Sequence, residues 1–131
     1  MQYYCPSCFV KIPREERQRP CPSCGTDAGQ WQHQHTFVER MIHALQHPNP
    51  ETRMMSIITL GNRRQVEAIL PLTECAMGVS SDVIQSLQIV KSLIDMPECT
   101  EKTTALHMLT DHRASAVRRR VQEYLDEQAS C

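Results

Sequence analysis

Apolar residues recur at helical spacing from Thr36 onward, and this periodicity is the strongest structural signal in the chain. Phe37, Val38, Met41, Ile42 and Leu45 mark a first stripe that ends at His47-Pro48. Asn49-Pro50-Glu51 then reads as a helix start: an Asn cap, Pro in the first position and an acid in the first turn. Met54, Ile57, Ile58 and Leu60 carry this second helix to a stop at Gly61-Asn62. A third helix is predicted from about Gln65 to Met77, through Val66, Ile69, Leu70, Leu72 and Ala76. Pro71 fits only its first turn, so the ordered part is expected to start after Gln65. Gly78 ends it, and Ser80-Ser81-Asp82 starts a fourth. Val83, Ile84, Leu87, Val90, Leu93 and Ile94 make that helix apolar over a wide face, which predicts the most buried element. Beyond Pro97, Ala105, Leu106, Met108 and Leu109 mark a fifth helix. Val117, Val121, Tyr124 and Leu125 mark a sixth.

Six short helices with tight turns predict three helical hairpins. Arg53-x2-Ser56-x3-Leu60 recurs as Arg118-x2-Val121-x3-Leu125, at a spacing that fits two repeats of roughly 32 to 33 residues. Val83-x2-Ser86-x3-Val90 fits as the middle copy. Each hairpin can bury only part of its apolar face, and stacking would bury the rest.

The first 35 residues follow a different pattern. Cys5-Pro6-Ser7-Cys8 recurs as Cys21-Pro22-Ser23-Cys24, with twelve residues between the pairs. Phe9, Val10 and Ile12 are apolar, and Pro13-Arg14-Glu15-Glu16-Arg17 is a polar tip. This predicts a β-hairpin with a metal at its open end. From Gly25 to His35 turn formers predominate, which predicts a linker. Trp31 within it is expected to pack between the hairpin and the first helix, with an exposed partner contact as the alternative. His33 and His35 read as solvated residues, because cysteine already completes a ligand set.

Composition changes the picture in three ways. Aromatics are 5 % of 131 residues and Gly numbers 4, so the core must be aliphatic and a turn-dense β-fold is excluded. Lys+Arg 14 against Asp+Glu 15 argues against coating of nucleic acid by charge alone. Seven cysteines cannot pair off completely, and their spacing is that of a metal site rather than of a disulfide framework. Met1-Gln2-Tyr3-Tyr4-Cys5-Pro6 shows no leader pattern. No apolar stretch approaches the roughly 20 residues of a membrane span. The expectation is a cytoplasmic protein without membrane contact.

Two residues between thiols let a tight turn aim both sulfurs at one point. Two such turns supply Cys5, Cys8, Cys21 and Cys24, a closed tetrahedral set for one structural Zn²⁺. Four thiolates leave no open position, so a catalytic zinc is not expected. Iron in a rubredoxin-like site is the alternative. A thioredoxin-type dithiol is disfavoured, since the motif occurs twice with Pro after each first Cys. Cys75 and Cys99 read as core or near-surface thiols, and Cys131 as a tail residue.

Cys-Pro-x-Cys, an Ile a few residues on, and then Cys-Pro-x-Cys-Gly resemble a small bacterial zinc ribbon over residues 1–28. Phe9 stands where many such ribbons have a second Gly. The run Pro48-Asn49-Pro50-Glu51-Thr52-Arg53, ending Leu60-Gly61, resembles the short HEAT repeat of the phycobilisome-lyase type, and the resemblance extends over about residues 36–128. Together they imply an all-α fold: an α-solenoid of about three HEAT-like hairpins (36–131), a linker (29–35) and an N-terminal ribbon (1–28) that caps the stack.

No Gly-rich phosphate loop, zincin motif or nucleophile signature is present, so an enzyme is not expected. His43, His47, His107 and His112 read as structural or solvated. The resemblance implies a non-catalytic protein–protein adaptor. The alternative is a nucleic-acid-binding protein that uses the ribbon, with Arg63, Arg64, Arg113, Arg118, Arg119 and Arg120 on phosphates. A lyase-type enzyme accessory is the third reading. Neither part of the chain carries a strongly basic footprint: Lys11, Arg14, Arg17 and Arg19 of the ribbon face Glu15, Glu16 and Asp27.

Overall fold

The computed structural model describes residues 3–78 and 81–130. Ser80 of the expected fourth helix start and the tail thiol Cys131 lie outside them. Among the described residues, one two-stranded antiparallel hairpin precedes seven α-helices. Strand β1 (Tyr3–Tyr4) pairs with β2 (Lys11–Ile12) in the register Tyr3 to Ile12 and Tyr4 to Lys11.

The segment predicted as a linker is helical rather than irregular. Ala28–Gln34 form helix α1. Asp27 caps it by accepting the Gln30 amide at 3.0 Å. Trp31 and His35, one turn apart, stack with ring centroids at 4.5 Å. The Gly and Gln content hid this helix, which buries none of its residues.

Helix α2 (Phe37–His43) opens with a reciprocal capping box. The Glu39 amide donates to Thr36 Oγ1 at 3.1 Å, and the Thr36 amide donates to Glu39 Oε1 at 2.8 Å. A 3₁₀ turn (Ala44–Gln46) extends α2 and buries Leu45. Helix α3 (Pro50–Asn62) starts at the Asn49 cap, as the sequence predicts. It ends at Asn62, within the predicted Gly61-Asn62 stop, but Gly61 is not the residue that turns the chain. That residue is buried within the helix, and a Cβ there would stand 2.7 Å from Ser92 Cβ of the neighbouring helix. Gly61 therefore permits close approach of two helices, and the left-handed residue after α3 is Arg64, with φ +52°.

A 3₁₀ turn (Val66–Ala68) leads into α4 (Ile69–Met77), with Pro71 in its first turn as expected. Helix α5 (Val83–Ile94) is capped by Asp82 and packs against α3, α4, α6 (Thr100–Leu109) and α7 (Ser115–Ala129). It is the most enclosed element; Val90 and Leu93 of the predicted face are buried and Leu87 and Ile94 pack against the core, but the buried face also takes in polar residues and leaves out the first two positions. Gln85, Ser86, Ile89, Val90, Ser92 and Leu93 are buried, whereas Ile84 is 73 % exposed and Val83 is also exposed. A helix flanked on several sides buries small polar residues where they bond its neighbours. Ser92 Oγ donates to the Ile57 carbonyl at 3.0 Å, and Gln85 Oε1 accepts from Arg53 Nε at 3.1 Å.

The helices pair as α2 with α3, α4 with α5 and α6 with α7. Across the pairs, α3 meets α5, α5 meets α7 and α4 meets α6. One core joins them, with Ile57, Leu60, Ile69, Leu72, Ile89 and Leu93 among its fully buried members.

The repeat read from Arg53 and Arg118 has a structural counterpart. Arg53 Nη1 donates to the His47 carbonyl at 2.7 Å, and Arg118 Nη1 donates to the His112 carbonyl at 2.6 Å. The Asn49 amide donates to His47 Nδ1 at 3.0 Å, and the Ala114 amide donates to His112 Nδ1 at 2.9 Å. The middle copy has a different register from the one the sequence suggests. Counted from the helix caps Asn49, Asp82 and Ala114, Ser86 occupies the place of Arg53, not that of Ser56.

Candidate metal centre

Each Cys-Pro-Ser-Cys pair builds the same turn. The Phe9 amide donates to the Cys5 carbonyl at 3.0 Å, and the Cys5 amide to the Val10 carbonyl at 2.9 Å. The Gly25 amide donates to the Cys21 carbonyl at 2.8 Å, and the Cys21 amide to the Thr26 carbonyl at 2.9 Å. The fifth residue of both turns has positive φ: +64° at Phe9 and +76° at Gly25. Glycine adopts this conformation without strain; Phe9 does not.

The two turns bring Cys5, Cys8, Cys21 and Cys24 together, with all four sulfurs within 4.8 Å of one another. Cys5 and Cys24 are 3.7 Å apart, as are Cys8 and Cys21. A disulfide would need about 2.05 Å. A tetrahedron of sulfurs at about 2.3 Å from a central ion has edges of about 3.8 Å. The donor set and its size therefore fit a tetrahedral metal ion. Cys5 and Cys21 are buried, and Cys8 and Cys24 face solvent.

The thiols are electrostatically unequal. The Thr26 hydroxyl and amide, with the neighbouring sulfurs, bring the Cys24 thiol down to about 6. The amides of Cys24 and Ser23 lower Cys21, the latter at 3.4 Å from its sulfur. The Val10 amide also favours ionised Cys8, yet burial and the sulfurs of Cys24, Cys21 and Cys5 outweigh it and push that thiol to about 11. Four sulfurs this close cannot all ionise without a cation among them. A bound cation would supply the charge that lets all four serve as ligands.

The other predicted residues are dispersed. Trp31 lies against His43 at the end of α2, with ring centroids 5.4 Å apart, and remains half-buried. Arg63 lies over the Phe37 ring at 4.6 Å. Arg64 Nε donates to the Asp95 carbonyl at 3.0 Å. Arg113 donates to the carbonyls of Ser81 and Ala76, and Arg118 to that of His112. Three of the arginines thus tie backbone to backbone. Arg119 and Arg120 are exposed, without an ion pair among the described residues. The histidines are tied likewise: His43 Nε2 donates to the Ser7 carbonyl at 2.7 Å, and buried His112 Nε2 to the Ala76 carbonyl at 2.9 Å.

Sequence reasoning missed Lys102. It is 2 % exposed, and its Nζ donates to the carbonyls of Ile94 and Met96 and to Glu98, closing the end of α5. Lys sits in a polar run of α6, and no periodic signal marks it. Also missed was a cleft of about 1020 Å³ bordered by Trp31, Glu39, His47, Arg53, Glu74 and Cys75. Burial pushes the Cys75 thiol up, as expected of an unreactive cysteine.

Comparison of the chain with protein-family models, with curated proteins and with solved structures gives no match. No helix among the described residues is long and apolar enough to cross a membrane.

Proposed function

We propose that the chain is a non-catalytic protein–protein adaptor: a short HEAT-like α-solenoid of three hairpins, capped by a ribbon that holds one structural Zn²⁺. The observation that carries the adaptor reading is the exposure of large apolar side chains on neighbouring second helices. Met55 of α3 is 70 % exposed and Ile84 of α5 is 73 % exposed, and Ile58 of α3 is exposed as well. Scattered apolar residues are ordinary on a surface, but two such residues on adjacent packed helices favour a partner-facing side. The recurrence of the Arg53–His47 clasp at Arg118–His112 supports the repeat reading. Four thiols as donors support zinc, which would be held by Cys5, Cys8, Cys21 and Cys24 and would supply folding energy to a segment too small for a core of its own. Engagement of Arg64, Arg113 and Arg118 by backbone carbonyls weighs against the nucleic-acid alternative.

Elemental analysis should return one zinc per chain, with four thiols protected from modification. A folded, metal-free chain with all thiols reactive would remove the ribbon reading. For the adaptor, proteins bound by the wild type are compared with those bound by Met55→Glu and Ile84→Glu variants of unchanged helicity. Loss of a specific partner in both variants is expected. Identical capture by all three chains would overturn the reading.

A further inference from the structure

A pocket of about 260 Å³ lies where the ribbon meets α1 and α2. Six rings border it: Tyr3, Tyr4 and Phe9 from the ribbon, Trp31 from α1, and His43 and His47 around the end of α2. Both imidazoles are held by the backbone, His43 through the Ser7 carbonyl and His47 through the Asn49 amide. Arg40 is the one lining group of fixed charge. Its Nε is buried and has no hydrogen-bond partner among the described residues. Its ring contact, with Phe37 at 5.8 Å, supplies no acceptor. A buried guanidinium nitrogen without an acceptor is an incomplete arrangement, since buried donors are nearly always satisfied.

We infer that this pocket binds a flat ring bearing a carboxylate, the ring against the aromatic side chains and the carboxylate at the Arg40 guanidinium. The size suits one ring. The charge suits one carboxylate, because a single guanidinium would leave part of a phosphate dianion unmatched. A single-stranded nucleic acid needs a run of cations along its backbone. The other guanidinia nearby are engaged elsewhere and are not among the lining residues: Arg17 stands on the Tyr3 ring at 5.2 Å, Arg63 on the Phe37 ring at 4.6 Å, and Arg53 donates to the His47 carbonyl. The chemistry occurs at the C-terminus of a protein ending in Phe, Tyr or Trp, and in free arylacetic acids. The first source rests on the adaptor reading and defines its partner.

Trp31 is the single Trp of the chain and lines the pocket, so its emission reports occupancy. The full zinc-loaded chain is titrated with a pentapeptide ending in Phe, with the same peptide amidated, with phenylacetate and with a ten-residue oligothymidylate. The free-carboxylate peptide should give a saturable change, and the amide should bind at least tenfold more weakly. Arg40→Gln should weaken the peptide by a similar factor. If that variant does not fold, the acid–amide comparison on the wild type decides alone. Absence of a saturable change with both acids, an equal response to the amide, or tighter binding of the oligonucleotide overturns the proposal. Binding of phenylacetate without the peptide keeps the pocket's chemistry and overturns the partner terminus as its source. These outcomes are separable from failure of the adaptor reading, whose variants lie on α3 and α5.

Discussion

The Phe9 ring stacks on the His43 imidazole, with centroids 4.7 Å apart and planes inclined by 27°. It does so from a backbone with φ +64°, where the equivalent position in the second cysteine turn is Gly25. Left-handed backbone costs an L-residue about 1–2 kcal/mol. An aromatic pair returns about 0.5–1.5 kcal/mol beyond its area, and Phe9 also meets His47 at 5.0 Å. The strain is thus offset by the seam that joins the ribbon to α2.

The two effects separate in a pair of variants. Phe9→Ala keeps the strain and loses the ring, whereas Phe9→Gly loses both. Phe9→Ala should therefore be less stable than Phe9→Gly by about 1 kcal/mol. Urea denaturation of the metal-loaded chains measures the difference. Equal stability would mean that the left-handed backbone carries no cost at that turn.

Metal removal should act first on the ribbon. Chelation leaves four sulfurs within 4.8 Å without a cation, and the short hairpin has only Ile12 and part of Tyr3 as apolar cover beside Cys5 and Cys21. The seam through Phe9 and Trp31 should then open, shifting the Trp31 emission to the red, while far-UV circular dichroism keeps most of its helical signal. Loss of the whole helical signal on chelation would show that the helices depend on the ribbon for their fold.

Gly61→Ala should destabilise the chain in spite of the better helix propensity of Ala, worth about 1 kcal/mol in a helix interior. The added methyl would meet Ser92 at the α3–α5 contact, and overpacking of this kind costs about 1–3 kcal/mol. Ser92→Gly in the same chain should recover part of the loss by removing the opposing side chain. A double-mutant cycle from thermal denaturation reads the coupling, and strict additivity would place the strain elsewhere.

Local signals carried much of this architecture. The caps Asn49 and Asp82, the Pro71 constraint and the cysteine spacing each act within one turn of chain, and each appears in the structure where the sequence puts it. What escaped depends on neighbours. Apolar periodicity locates a helix but not how many other helices surround it, so Val83 and Ile84 read as core while Gln85, Ser86 and Ser92 fill the contacts of α5. Gly61 looks like a stop signal because a close helix crossing and a helix end both favour glycine. The arginines looked like one basic patch because residue type does not reveal that Arg64, Arg113 and Arg118 are spent on carbonyls of other segments.

The two arginine clasps should differ in strength. Arg53 is 8 % exposed and holds the carbonyls of His47 and Pro48 together with Gln85. Arg118 holds the His112 carbonyl from an exposed position. Arg53→Met should cost about 2–4 kcal/mol, because buried Gln85 Oε1 and the carbonyls of His47 and Pro48 all lose a donor, and Arg118→Met less than half as much, since only the bond to the His112 carbonyl is lost. Lys102→Met should resemble Arg53→Met, because the buried Met96 carbonyl and the half-buried Ile94 carbonyl lose their donor. Urea midpoints of the three variants provide the ranking, and equal losses for Arg53 and Arg118 would contradict it.

Acid should weaken the same region through His47. Burial lowers its affinity for a proton, and the Arg53 charge adds to the effect. Its Nδ1 accepts the Asn49 amide, a bond that a proton on that nitrogen would break. The unfolded chain takes up this proton near the ordinary value of 6.5, and the folded chain only at lower pH. The unfolded state therefore binds more protons in the window just below 6.5, so stability is full above that value and declines as pH falls toward the folded value. Glu39 and Glu98 act in a separate window. Thr36 holds the first and Lys102 the second below 4.5, so their contributions are lost at more acidic pH. Helix unfolding by urea, followed at 222 nm between pH 8 and 5.5 with excess zinc, should show the decline in the wild type. His47→Gln, which has no proton to gain in that range, should flatten it. An equally steep decline in the variant would assign the acid sensitivity to another group.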